Sequence, residues 1–176
     1  MNMNETLKTL EARRSCRKFD TERMVSEEDI QAIIDAGIYA PSGMGKQSTI
    51  VIAVTNKELR DQISAENAKI MGANMDPFYG APVILIVLAD KDVATAVYDG
   101  ALTMGNMMNA AESLGLGSVW IHRAKEEFES EFGKKILADL GITGNYEGIG
   151  HVALGYAAAP ANAPAARKEN RVFFIK

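Results

Sequence analysis

The sequence predicts a layered α/β sandwich, with helices and strands alternating along a single domain spanning residues 1–176. Two observations carry this reading. Short runs of β-branched or uniformly apolar residues have strand length, and between them lie longer segments with apolar residues at three- and four-residue spacing. Turn formers separate the two kinds of segment. A chain of 176 residues is long enough to bury a sizeable core in one domain.

The elements follow in order. Residues 4–13 read as a helix with Leu7 and Leu10 on one face. Ser26 followed by Asp29 resembles a capping box and opens a helix carrying Ile30, Ile33, Ile34 and Ile38. Pro41-Ser42-Gly43 ends it. Ile50, Val51, Ile52 and Val54 make 49–55 a strand. Residues 57–70 form a polar-faced helix with Leu59, Ile63 and Ile70, and 83–88 form a strand apolar on both faces. Residues 92–114 read as one long helix, apolar nearly all round through Val97, Leu102, Met104, Met108 and Leu114. Such a helix needs cover on every side, and in so small a chain a partner subunit supplies it. A strand over 118–121, an amphipathic helix over 125–139 with Phe128, Phe132, Ile136 and Leu137, and a strand over 149–156 complete the core. Residues 157–166, rich in alanine and holding Pro160 and Pro164, read as an extended connector. A last strand is expected over 172–175.

Bulk properties exclude several functions. The net charge is -4, which argues against a nucleic-acid or anionic-membrane partner. A lone cysteine, Cys16, rules out an internal disulfide and fits a reducing cytoplasm. Residues 1–14 carry acids and bases with no apolar run, so no signal peptide is expected. The apolar run 82–89 is too short to cross a bilayer. The dinucleotide GxGxxG, the P-loop, metal-ligand spacings and the GxSxG elbow are all absent.

Four segments remain that could carry chemistry. Arg13, Arg14, Arg17 and Lys18 surround Ser15 just after the first helix. Forked guanidinium donors with a short hydroxyl suit a phosphate, although the segment taken alone reads first as a solvated basic helix end. The loop 40–48 offers backbone freedom, hydroxyls and an amide, as a flat heteroaromatic ring would need; alone it is an ordinary connection. Residues 115–122 bring glycines to a strand start, for close backbone approach or for tight packing. His122 lies at the strand end, as a pocket wall or an acid/base group, while His151 reads as a satisfied core residue. Arg167, Lys168 and Arg171 form a second basic cluster, or else a solvated tail.

Taken in order, these segments resemble the nitroreductase family. RRSCRKF is similar to its N-terminal FMN motif, APSGMGKQ to its APS-x(n)-Q loop, and FYGAPVILIV, GLGSVWI and HVALGYA to its later signatures. ARKENRVFFIK resembles its phosphate-contacting tail. The resemblance spans residues 13–176. It implies a three-layer α/β/α (α+β) fold around a mixed, mostly antiparallel sheet. It further implies an intertwined homodimer with two FMN sites at the subunit interface. Arg13 and Ser15 would contact the FMN phosphate, with Arg167 and Lys168 completing that end. Arg17, with Arg14 beside it, would meet the N1/O2 edge of the ring. Ser42, Gly43, Met44 and Gln47 would reach the other subunit's FMN, and Asn74 would touch a ring edge. Trp120, Ile121, His122 and Arg123 would present backbone near N5. The implied enzyme passes electrons from NADH or NADPH through FMN to a nitroaromatic, quinone or similar small-molecule acceptor by a ping-pong mechanism. A flavin reductase or other specialised reductive enzyme on the same scaffold, or a flavin-binding protein with little turnover, stays open beside it. Four departures stand out: Cys16 at a usually aliphatic position, His122-Arg123 where a small residue is usual, Ser48-Thr49 in place of an aromatic after Gln47, and Ala165 in place of a lysine.

Overall fold

A computed structural model describes residues 3–176. Most helices start where a short polar side chain caps them. Asn4, Asn56 and Ser130 accept a backbone N–H three residues on, opening α1 (Glu5–Ala12), α3 (Lys57–Met71) and α6 (Glu131–Asp139). Ser26 does the same for α2 (Glu27–Ile38), and its hydroxyl also donates to the Asp29 carboxylate. The other elements are β1 (Thr49–Val54), β2 (Val83–Asp90), α4 (Ala96–Ser113), β3 (Gly117–Ile121), α5 (Ala124–Glu129) and β4 (Tyr146–Gly155).

The strands form one sheet of order β1-β2-β4-β3, antiparallel at every pairing. The parallel component expected of a mixed sheet is reduced to one isolated bridge, Ser15 to Ser118. β2 lies inside the sheet, and every residue from Val83 to Ala89 is buried. Its alternate side chains point to opposite faces. Val83, Leu85, Val87 and Ala89 join one apolar cluster with Ile33 of α2 and Met104 and Met107 of α4. Ile84, Ile86 and Leu88 join a second with Ile63 of α3, Phe128 of α5 and Ile136 of α6. Three layers result. A bulge in the β2–β4 pairing at Val87/Leu88 inserts Ile149, which therefore shares a face with Val152 and Leu154 despite its parity.

Four expectations need correction. The long helix starts at Ala96, because the Asp90 carboxylate accepts the Asp92 N–H and holds a turn there. The helix over 125–139 is two helices, since Ser130 both bonds the Glu127 carbonyl and caps α6. β4 begins earlier, at Tyr146. Residues 172–175 form no strand; Phe173 and Phe174 are each 82% exposed. Their composition favours a strand, but a strand also needs a neighbour for its backbone. The outer face of α4 is likewise bare at Val97, Tyr98 and Leu102, beside exposed Leu7, Leu10, Ile38 and Tyr39.

Close backbone packing makes one position diagnostic. A Cβ on Gly148 would fall inside the carbonyl of Ala124 and against Lys125 N, both backbone of α5. Overpacking of this kind costs about 1–3 kcal/mol. Gly148→Ala should lower the urea midpoint accordingly, and an unchanged midpoint would contradict this packing of α5 on β4.

Candidate functional site

The first basic segment is pinned along the sheet. After α1 ends, Cys16 N–H donates to the Ser118 carbonyl at 2.9 Å, and Ser15 bridges Ser118. Phe19 is buried and bridges Ala157, while Lys18 O and Asp20 N bond the chain leaving β4. These pins set Arg14–Lys18 around a cavity of about 410 Å³ closed by Glu112, Gly115–Gly117 and the start of the tail. None of the ion pairs among the described residues involves Arg13, Arg17 or Lys18. The one acid among the cavity's lining residues, Glu112, forms no ion pair with them.

Arg14 behaves differently from its neighbours. Its Nη1 donates to the carbonyls of Glu11 and Arg13, at the C-terminal end of α1, where a cation is favoured. Its buried Nε has no partner. Gly117 serves packing, since Cys16 Cβ and Sγ sit where a Gly117 side chain would be.

The loop after α2 is held tightly from behind. Met44 and Gln47 both have left-handed backbone, with φ of 54° and 48°, a conformation that costs a non-glycine residue about 1–3 kcal/mol. Two groups stabilise it. Ser42 Oγ accepts the Gln47 N–H. Asp99, buried in the first turn of α4, accepts from Gly43 N–H at 3.0 Å, Ser48 Oγ at 2.7 Å and Thr95 Oγ1 at 3.0 Å. Burial pushes the Asp99 carboxyl up, but these hydrogen bonds pull it further down, below its ordinary value. Sequence reading missed Asp99; its only signal is an acid in the first turn of a largely apolar helix. Met44 and Gln47 themselves face solvent.

At the end of β3, Trp120 is half-buried, Ile121 buried and His122 exposed. Arg123 follows with φ of 76°. His151 is a core residue, edge-on to Phe78 with ring centroids 5.3 Å apart, but it is not satisfied. Its Nδ1 has no partner, and its Nε2 lies 3.2 Å from Glu127 Oε2, off the line of a hydrogen bond. The fold does not gather every expected residue within one chain. Ser42, Gly43, Met44 and Gln47 lie outside the walls of the basic cavity. Arg167 turns its guanidinium to the Ala165 carbonyl and, with Lys168 and Arg171, lines a separate depression on the exposed tail. Asn74 is exposed beyond α3, in a hollow with Ser64 and Lys69. Among the described residues no His/Cys/Asp/Glu cluster could hold a metal, and no helix is long and apolar enough to cross a membrane.

Comparison with known proteins places the fold. The chain matches the Nitroreductase family over residues 10–156. It is similar to a nitroreductase with bound FMN from Bacteroides fragilis, with a TM-score of 0.87 and 31% identity over 99% of this chain and 100% of that one. A nitroreductase with bound FMN from Desulfitobacterium hafniense is comparably similar, with a TM-score of 0.88, 31% identity, and the same 99% and 100% coverage. An Archaeoglobus fulgidus protein, provisionally named NADH dehydrogenase/NAD(P)H nitroreductase, is 32% identical over 159 residues, covering 88% of this chain and 86% of the relative. FMN reductase [NAD(P)H] from Bacillus subtilis is 31% identical over 66% of this chain, but the match spans only 53% of that relative.

Asp99→Ala should release the loop. Losing hydrogen bonds to a charged group costs about 1.5–3 kcal/mol, read as a lower urea midpoint and faster proteolysis at Lys46. Because the folded carboxyl is held below its unfolded value, the stabilisation is present above about pH 4. It is lost as pH falls through the folded value, so wild type and variant should converge in acid. Equal midpoints at pH 7 would contradict the role given to Asp99.

Proposed function

The chain belongs to the nitroreductase family, and on that premise we propose that it is an FMN-dependent oxidoreductase that works as a homodimer. It takes electrons from NADH or NADPH and passes them to a small nitroaromatic, quinone or related acceptor. The observation that carries this reading is the cavity walled by Arg14–Lys18, next in the chain to Arg13. Its rim is rich in unpaired cations, and its volume of about 410 Å³ lies in the range of cofactor sites.

The residues present fit FMN. Arg13 and Ser15 supply the forked and hydroxyl donors that a phosphate needs. The unpartnered Nε of Arg14 is a further donor. FMN, when bound, would supply the redox chemistry: hydride acceptance from NADH or NADPH and, in a second, ping-pong half-reaction, reduction of the acceptor. The protein's part is position and electrostatics. Arg13 and Ser15 would hold the phosphate, joined by Arg167 and Lys168 of the tail. Arg17 would stabilise negative charge at the N1/O2 edge, Ser42, Gly43, Met44 and Gln47 would reach the ring of the neighbouring subunit, and Trp120–Arg123 would present backbone near N5. No protein acid is required for hydride transfer, so His122 shapes the entrance and water supplies protons. Asn74 keeps a ring-edge role only if its exposed segment meets the partner.

The same reading explains why one chain leaves its parts separate. The loop and the tail each lie apart from the basic cavity, so a second copy is needed to bring them to it. The bare faces of α4, α1 and α2 and the exposed Val172–Ile175 give that copy apolar surface to cover. A flavin reductase is the second reading, favoured by relatives named FMN reductase in Bacillus subtilis and NADPH-flavin oxidoreductase in Vibrio harveyi. The lone Cys16 suits a cytoplasmic location.

Purified protein should bind FMN near one per chain, bleach anaerobically with NADH or NADPH, and recover colour with the acceptor it serves: a nitroaromatic or quinone on the first reading, free flavin on the second. Arg13→Ala should weaken FMN affinity about ten- to a hundredfold. Protein that takes up no FMN, or Arg13→Ala with wild-type affinity, would overturn this placement. Sedimentation should give a dimer with an interface above roughly 2,000 Å²; a flavin-loaded monomer at micromolar concentration contradicts it.

A further inference from the structure

We propose that Asn67 is a positioning residue that sets the backbone at His122–Arg123, the strand end through which the protein meets the cofactor ring; this rests on the functional reading above. Asn67 is fully buried on α3. Its Nδ2 donates to the His122 carbonyl at 3.0 Å and to Glu127 Oε2 at 3.3 Å. Its Oδ1 accepts from Arg123 Nε at 3.0 Å. One amide thus grips both residues at the turn, at a point where Arg123 holds a left-handed φ of 76° without glycine. Such a conformation persists only where its surroundings impose it.

The grip has a directional result. Across a trans peptide the C=O of one residue and the N–H of the next point opposite ways. Asn67 draws the His122 carbonyl inward, so the Arg123 N–H faces away from α3. Glu127 fixes the amide from behind. Its carboxylate is fully buried, with Oε1 unpartnered and Oε2 facing His151 on β4. Removing Asn67 would leave that carboxylate without its amide donor and free the turn to relax toward ordinary φ. The grip gives Asn67 and Glu127, both fully buried, their polar partners beside the apolar cluster of this layer.

Hydrogen exchange on the FMN-free full chain tests this without activity. Asn67→Ala should raise exchange over 121–128 at least about tenfold while β2 stays protected; unchanged exchange over 121–128 overturns the proposal, whether or not FMN binds. In the FMN-loaded protein, anaerobic reduction by NADH should slow at least about tenfold with FMN affinity within about threefold. Adding Arg123→Gly to Asn67→Ala should recover at least about threefold of that loss, because glycine holds positive φ unaided; adding Arg123→Ala should recover none. A loss that glycine does not recover reduces Asn67 to core filling and overturns the proposal. Should Asn67→Ala fail to fold, Arg123→Ala at its half-buried position removes one arm of the grip. It should raise exchange over 121–128 at least about threefold, and no rise overturns the proposal. Protein that binds no FMN defeats the functional reading, while the exchange measurement still decides this one.

Discussion

The structure answers one constraint: Val83–Ala89 must be shielded from water on both faces and paired on both edges. β1 and β4 supply the edges. α2 and α4 cover the odd-numbered side chains, and α3, α5 and α6 the even-numbered ones. At about 25 cal/mol per Å² of apolar surface, no other single segment demands as much cover for its length. The layer order follows, and so does the place of the basic segment, which runs along the remaining edge of the sheet at Ser118.

Local signals in the sequence were legible where the physics is local. Ser26 caps its helix as spacing predicted, β2 reads as apolar on both faces, and α4 reads as a helix with too much apolar surface for one chain. Contacts between distant segments were not legible. Asp99 reaches across 56 positions to Gly43, and nothing near Asp99 announces that partner. Ser130 reads as one residue inside a helix, yet its hydroxyl closes one helix and opens the next. Arg14 looks like its neighbours in composition, but its place three residues past Glu11 brings the carbonyls of α1 within reach. The last segment has strand-like residues but no partner backbone, which composition cannot supply. Of the candidate site, the basic segment was readable, while its bridge to the sheet and the separation of loop, tail and cavity needed the fold.

α3 shows how the polar work is distributed. Its inward stripe holds Arg60, Ser64 and Asn67, buried at helical spacing with Ile63 among them. Arg60 donates to the Ala81 carbonyl and, with Ser64, to the Asp76 carboxylate, which also accepts from Phe78 and Gly80 N–H. Burial pushes the Asp76 carboxyl up and these partners bring it down further, below its ordinary value. One helix therefore fastens the turn that enters β2 and the turn that leaves β3. Arg60, Ser64 and Asn67 are themselves buried, so a hydrogen bond lost on their side leaves a polar group with little access to water.

The loop after α2 separates shape from surface. Its path is dictated from within, by a carboxylate, two serine hydroxyls and backbone hydrogen bonds, while the side chains of Met44 and Lys46 project outward and hold nothing in place. Substitution of Lys46 leaves the loop's form intact, while Met44, at positive φ, accepts residues that tolerate that backbone. Related chains can thus diversify what they touch by single substitutions, with the scaffold supplying an unchanged mould and evolution working only on its lining.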